Sequence, residues 1–257
     1  MNPEKAKSFS LVTGFFVLFV IAWYLFAESI NSVLIPTPLN TFAALIKLIF
    51  EGATWKAFWL SNQSLLIGFF LAVVVGVVIG LMIGRVQWME QAFNPWLTLL
   101  LVLPMSMMMP MIIMAFGFSL AARVFIVFIF AMPTIIVNTR AGIREVPQEL
   151  IEMGRVFGAN EVDLWRHILV KSAAPSMWAG IRIGLGRSIT GMMLGELLLV
   201  AVGIGVLFKV FQGQFDPDKT FGLVGLLIAE SLILMKICRS IERRLIPWFY
   251  VSKFENK

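Results

Sequence analysis

The sequence predicts an all-α fold, a polytopic membrane helical bundle with about six transmembrane helices. Three observations carry that reading. Of the 257 residues, 59% are hydrophobic and only 14% charged, and the mean hydropathy is +0.89. That is too little charge to wet the surface of a soluble domain of this size. The apolar residues gather into six runs, near 10–27, 61–84, 97–117, 121–139, 174–203 and 220–238, and a hydrocarbon core about 30 Å thick takes roughly 20 apolar residues per helical span. The basic residues crowd into alternate connecting segments, as the positive-inside rule requires of a chain that crosses repeatedly.

The first run follows Lys5 and Lys7 and stops at Glu28. It is longer than a signal-peptide core, and Glu28-Ser29-Ile30-Asn31 offers no small-x-small cleavage site, so it reads as a retained span. Residues 1–59 form an N-terminal unit: this span, the break Ile35-Pro36-Thr37-Pro38, and a short helix over 39–50. That helix carries Phe42, Leu45, Ile46, Ile49 and Phe50 at spacings of three and four, and reads as lying at the outer interface. Trp55 and Trp59 follow at interfacial depth. Runs 97–117 and 121–139 are parted only by Gly117-Phe118-Ser119-Leu120, which predicts a tight helical hairpin. Gly76, Gly80 and Gly84 recur every four residues, as do Gly180 with Gly184 and Gly191 with Gly195, so one stripe of each helix lets a neighbouring backbone approach closely. Residues 60–240 make the core and 241–257 a basic tail.

With the N-terminus in the cytoplasm, Lys5, Lys7, Arg85, Arg140, Arg144, Arg155, Arg166 and Lys171 lie inside, joined by Lys236, Arg239, Arg243, Arg244, Lys253 and Lys257. Only Lys47, Lys56, Arg123, Lys209 and Lys219 fall opposite, with Glu28, Glu51, Asp216 and Asp218 beside them. Both termini are therefore expected in the cytoplasm of a multi-pass protein. The +6 net charge is explained by this sorting and by anionic lipid, without nucleic acid. Cys238 and His167 are the only residues of their kinds, which argues against a disulfide, a metal centre or a membrane-embedded enzyme.

The stretch between the fourth and fifth runs, about 140–175, is the most informative. Pro147 suits a helix start, and Gln148, Glu149 and Glu152 put polar and acidic groups in the first turns. Leu150, Gly154 and Phe157 share a stripe. Gly158 can take the positive φ of a C-terminal cap. Asn160 can cap a second helix with Glu161 and Asp163 at its positive end, and Val162, Trp165, Ile168 and Leu169 form that helix's apolar face. Two capped amphipathic helices exceed what a tether between spans needs. They suit a docking element for a soluble partner.

Here the sequence resembles a known family. Glu152-Met-Gly-Arg-Val-Phe-Gly158-Ala-Asn, with Ile168 ten residues after the glycine, is similar to the "EAA" loop of bacterial ABC-importer permeases. Met153 and Gly154 stand where alanines are usual, and Val170-Lys171 replaces Leu-Pro. Pro133 to Val146, Gly180-Ile-Arg-Ile-Gly-Leu-Gly-Arg-Ser, Gly195-Glu196 and Gly203-Ile-Gly205 resemble the nitrate/sulfonate/taurine branch, so the similarity covers about 60–240. The resemblance implies a type I importer in the bacterial inner membrane. Its parts would be two copies of the permease, two cytoplasmic ATP-binding subunits that hold ATP and Mg, and a periplasmic solute-binding protein. Glu149, Glu152, Gly154, Arg155, Phe157, Gly158, Ala159, Asn160 and Asp163 would form the ATPase-docking loop, and small anions would be the solute class. This chain has no Gly-x-x-x-x-Gly-Lys-Ser/Thr loop with which to cradle phosphates itself. The alternative from hydropathy alone is a self-contained secondary transporter or channel, which has little use for a capped docking loop.

Charged residues inside spans are the default candidates for a solute path. Arg187, Glu196 and Glu230 qualify; the alternative for Arg187 and Glu196 is a role as partners that hold the bundle, while Arg182 sits close enough to the cytoplasmic end to snorkel. The six methionines from Met105 to Met114, Met108 and Met109 among them, are either a pliant gate surface or filling for an irregular core.

Overall fold

The computed structural model describes residues 3–30, 34–199 and 202–249. Asn31, Lys253 and Lys257 lie outside these residues, and the side chains of Lys5 and Lys7 are outside the description as well. Among the described residues the secondary structure is helical, with no strand. Helix α1 (Pro3–Ile30) is followed by α2 (Pro38–Phe50), which starts with Thr37 capping Asn40 N–H and a proline in its first turn. The single extended residue Glu51 turns the chain into α3 (Gly52–Arg85). Next come α4 (Gln87–Val102), a 3₁₀ turn (Met105–Met108), α5 (Met109–Phe116) and α6 (Leu120–Arg144). Helix α7 (Gln148–Val156) stands alone. Then α8 (Glu161–Asp163), a π-helical turn (Leu164–Leu169) and α9 (Val170–Leu199) run on without a break. The short α10 (Ile204–Gly213) and the long α11 (Pro217–Leu245) complete the chain.

Packing fixes the directions of these helices. Gly68 on α3 meets Val127 on α6, Gly76 meets Ile135, Gly80 meets Thr139 and Gly84 meets Ile143. The offset along the chain never changes, so α3 and α6 run parallel. A Cβ on Gly80 would stand 2.6 Å from Thr139 Cβ and 2.9 Å from the Ile136 carbonyl oxygen. The four-residue stripe is thus where two backbones come together. Helix α9 is antiparallel to α6: Gly142 faces Ser176, Gly180 faces Asn138 and Gly195 faces Ile126.

Parallel α3 and α6 require the chain between them to cross back, and it does so in two pieces. Helices α4 and α5 meet at 95°. The run 97–117, expected as one straight span, is therefore broken at Leu103-Pro104, where Pro104 removes an amide donor and disfavours a helical Leu103. Only its second half makes the expected hairpin with α6, through Gly117 at φ 61° and a Ser119 N-cap. Helices α1, α3, α6 and α11 are long and apolar enough to cross a membrane, and the bent pair counts as a fifth when its two pieces are taken as one span. Helix α9 has the length, 30 residues, but Arg182, Arg187 and Glu196 dilute its hydropathy. It is described as far as Leu199, and the expected end at 203 is not helical, Gly203 standing at φ 81°.

Packing resolves two points at the α10 end. Helix α2 packs on α11, but through Thr41, Ala44 and Leu48, with Leu45 over Gly222 and Gly225. Phe42, Ile46, Ile49 and Phe50 face outward. Small residues win the contact because they bring backbones closer, while lipid satisfies the large apolar ones. The run of methionines divides in the same way. Met109 is buried with Ile112, Ala122 and Ile126, Met108 is half-buried against them, and Met107, Met111 and Met114 are exposed. Met109 is core filling, not surface.

Candidate functional site

At the end opposite α10, α7 emerges from the helix ends on a local core. Ile143, Val146, Ile151, Leu164, Leu169 and Ala173 are buried together, with Ala159 and Ile168 against them. Gly154 lets α7 lie directly on the following helix, since a Cβ there would come within 2.6 Å of Ile168 Cδ1 and 2.8 Å of Leu164 Cδ2. Gly158, at φ 79°, closes α7. Asn160 and Asp163 form a reciprocal capping box: Asp163 N–H donates to Asn160 Oδ1 at 2.9 Å, and Asn160 N–H to Asp163 Oδ2 at 3.4 Å. Glu161 accepts from Arg155 at 2.9 Å and lies 3.8 Å from Arg85 at the end of α3. Such exposed pairs contribute little energy each, about 0–1 kcal/mol, but this one ties α7 to α3.

Two details differ from the sequence reading. The second helix of the loop is not separate, because it continues through the π turn into α9. Its buried face is Leu164 and Leu169, whereas Val162 is exposed; the extra residue of the π turn rotates the face. Helix α7 buries Ile151, not Leu150 or Phe157. What remains outside is an apolar tip made of Met153, Val156 (85% exposed) and Phe157 (83% exposed), flanked by Glu149 and Glu152.

The intramembrane charges fall into four settings. Glu196, 1% exposed, belongs to a knot at the α10 end. Ser61 Oγ donates to its Oε2 at 2.7 Å, Gly205 N–H donates to the same oxygen at 3.2 Å, and Ile204 N–H donates to Ser61 Oγ at 3.0 Å. Arg123 Nη1 lies 3.9 Å from Oε1. Gly203, at φ 81°, passes so close that a Cβ would sit 2.4 Å from Ser61 Oγ. Glu230 accepts from Asn62 between α3 and α11. Arg182 does not snorkel; it donates to Glu242, 4% exposed on α11, at 3.0 Å. Arg187 lines a cleft beside the break between α4 and α5. Glu196, Arg187 and Glu230 are thus not brought together.

Comparison with known proteins decides the family. Residues 72–247 match the binding-protein-dependent transport system inner membrane component. The chain belongs to that family. This permease is 30% identical to the riboflavin transport system permease protein RibX of Chloroflexus aurantiacus, over 84% of its own chain and 80% of the relative. It is 28% identical to the nitrate import permease protein NrtB of Leptolyngbya laminosa, over 86% and 84% of the two chains. In fold it is similar to a chain of the MetNI methionine ABC transporter in inward facing conformations, at TM-score 0.57 and 19% identity, over 74% and 92% of the chains. The permease is accordingly a membrane-spanning subunit of an ABC importer, a transport component.

Several residues that shape the permease were not singled out from its sequence. Ser61, Asn62 and Glu90 are ordinary in isolation, and Glu90 becomes meaningful only where Arg140 and Arg144 converge on it. Gly203 was noted only within the Gly203-Ile-Gly205 motif, and its place in the knot shows in its positive φ and its close approach to Ser61.

Proposed function

We propose that two copies of this permease enclose the path of an ATP-driven importer in the bacterial inner membrane, and that α7 of each copy docks on a cytoplasmic ATP-binding subunit. The exposed Met153-Val156-Phe157 tip carries the reading: a large apolar surface on a helix locked to the ends of α3, α6 and α9 suits a partner's cleft. A push on α7 reaches those helices because the local core leaves it no independent motion, and ATP binding in the partner can thereby bias a two-state bundle. ATP and Mg²⁺ bind in that partner, a periplasmic solute-binding protein delivers solute, and both termini are cytoplasmic. A small organic or inorganic anion is the solute class, supported by the nitrate named for one relative and the aliphatic sulfonates named for another, SsuC of Bacillus subtilis, 25% identical over 85% of this chain and 79% of that one.

Two substitutions test the docking. Phe157→Ser removes a side chain with little contact to its own chain, so the permease should accumulate and unfold as wild type yet lose most co-purification with the ATP-binding subunit. Gly158→Val forces a β-branched residue into positive φ, at about 1–2 kcal/mol of local strain, and should abolish solute-stimulated ATP hydrolysis without changing insertion. Full association in both variants would refute the docking role of α7.

Sidedness is tested separately. Cys238 is buried, so introduced thiols report without background. Gln214→Cys should react with an impermeant maleimide in intact cells, and Glu161→Cys only after permeabilisation. The opposite pattern would invert the topology.

A further inference from the structure

Arg187 sits well inside α9, level with Phe130, Pro133 and Thr134 near the middle of α6, with which it lines one cleft of about 260 Å³. Leu103, Pro104 and Ser106 of the broken span line the other side of this open cleft, and Arg187 itself is exposed. An arginine this far from both helix ends exceeds the reach of snorkelling, and its charge is costly at such depth unless water, a carboxylate or an anion meets it. Among the described residues no carboxylate pairs with Arg187, and no acidic side chain lines the cleft. Two other arginines of the helices have carboxylate partners: Arg123, in the first turn of α6, has Glu196, and Arg182 has Glu242. The backbone break faces this same place, and irregular backbone at membrane depth is tolerated only where it is buried or lines a cavity. Cleft, hydroxyls and unpaired guanidinium therefore coincide at mid-depth.

We infer that Arg187, with the Ser106 and Thr134 hydroxyls, forms a subsite for a small oxyanion at the break of the α4–α5 span. The planar guanidinium offers paired N–H donors that match two oxygens of a nitrate or sulfonate group, and a hydroxyl on either wall can donate to a third. The cleft is small and its remaining lining apolar, so it takes a compact oxyanion better than a bulky neutral ring. The subsite rests on the importer reading above and deepens it by placing the selective contact in the permease.

The test uses the full chain in phosphatidylcholine nanodiscs, titrated with nitrate and with methanesulfonate against gluconate at constant ionic strength. Ligand binding to the folded state raises the thermal midpoint in a saturable way. Wild type should respond to both probes. Arg187→Gln should weaken the apparent affinity at least tenfold, Arg187→Lys should weaken it less because charge remains without the fork, and Thr134→Val should weaken it a few-fold in a chain whose own stability is unchanged. An unaltered response in Arg187→Gln and Thr134→Val would overturn the subsite. So would an equal, Arg187-dependent response to a neutral heterocycle, or to phosphatidylglycerol in place of the free anion. Co-purification of the ATP-binding subunit, measured on the same preparations, reports on the importer reading independently: its loss in wild type would refute that reading and not the anion titration.

Discussion

Glu196→Ala is expected to destabilise the solubilised permease by roughly 3 kcal/mol or more, because removing one member of a buried polar set strands the others. Ser61 and Gly205 would lose their acceptor, and Arg123, 8% exposed, would keep only the Leu60 carbonyl at 3.5 Å. The turn at Gly203 and the start of α10 hang on these bonds, so α10 should loosen with them. Glu196→Gln keeps the shape and an acceptor oxygen and should lose clearly less. Adding Arg123→Met to Glu196→Ala should restore part of the loss, since no buried charge then remains unmet; the coupling is read from a double-mutant cycle. Thermal unfolding followed by size-exclusion chromatography measures wild type, these three variants and Arg123→Met alone, which completes the cycle. A Glu196→Ala chain with wild-type stability and impaired uptake would move the residue from scaffold to solute path.

Gly80→Leu should be more damaging still, and the permease should fail to accumulate as a folded species. The intruding Cβ would meet the Thr139 side chain and the Ile136 backbone, and backbone cannot rotate aside. Ordinary overpacking costs about 1–3 kcal/mol. Here the cost should exceed that range, because α3 and α6 touch along their whole length and separating them at one point disturbs Gly76 and Gly84 too. Gly52→Ala, which has nothing within 4 Å of its Cβ, is the matched control and should be nearly silent. Folded Gly80→Leu at wild-type yield would show that the stripe is not the contact it is taken to be.

Sequence alone determined those features whose causes are local. Hydropathy is a sum over neighbouring residues, so the membrane class and most of the spans followed from it. Capping depends on residues three or four apart, so the α7 boundaries, the positive φ of Gly158 and the Asn160 N-cap were all legible before any coordinates, whereas the return bond from Asp163 was not. Tertiary structure decided what depends on residues far apart in the chain. Glu196 could be read as path or partner until Ser61, 135 positions away, and the amides near Gly203 were seen around it. Arg182 acquired Glu242, 60 positions on, and Arg187 acquired no carboxylate. Which face of α2 packs on a neighbouring helix was not legible for a related reason. In water, large apolar residues mark the buried side, but in lipid they are at home outside, and small residues such as Ala44, Gly222 and Gly225 mark the contact. The broken span was hidden because hydropathy measures apolarity and not direction. Pro104 lies inside the apolar run and was not read as a break; the parallel packing of α3 against α6 and the 95° bend locate it.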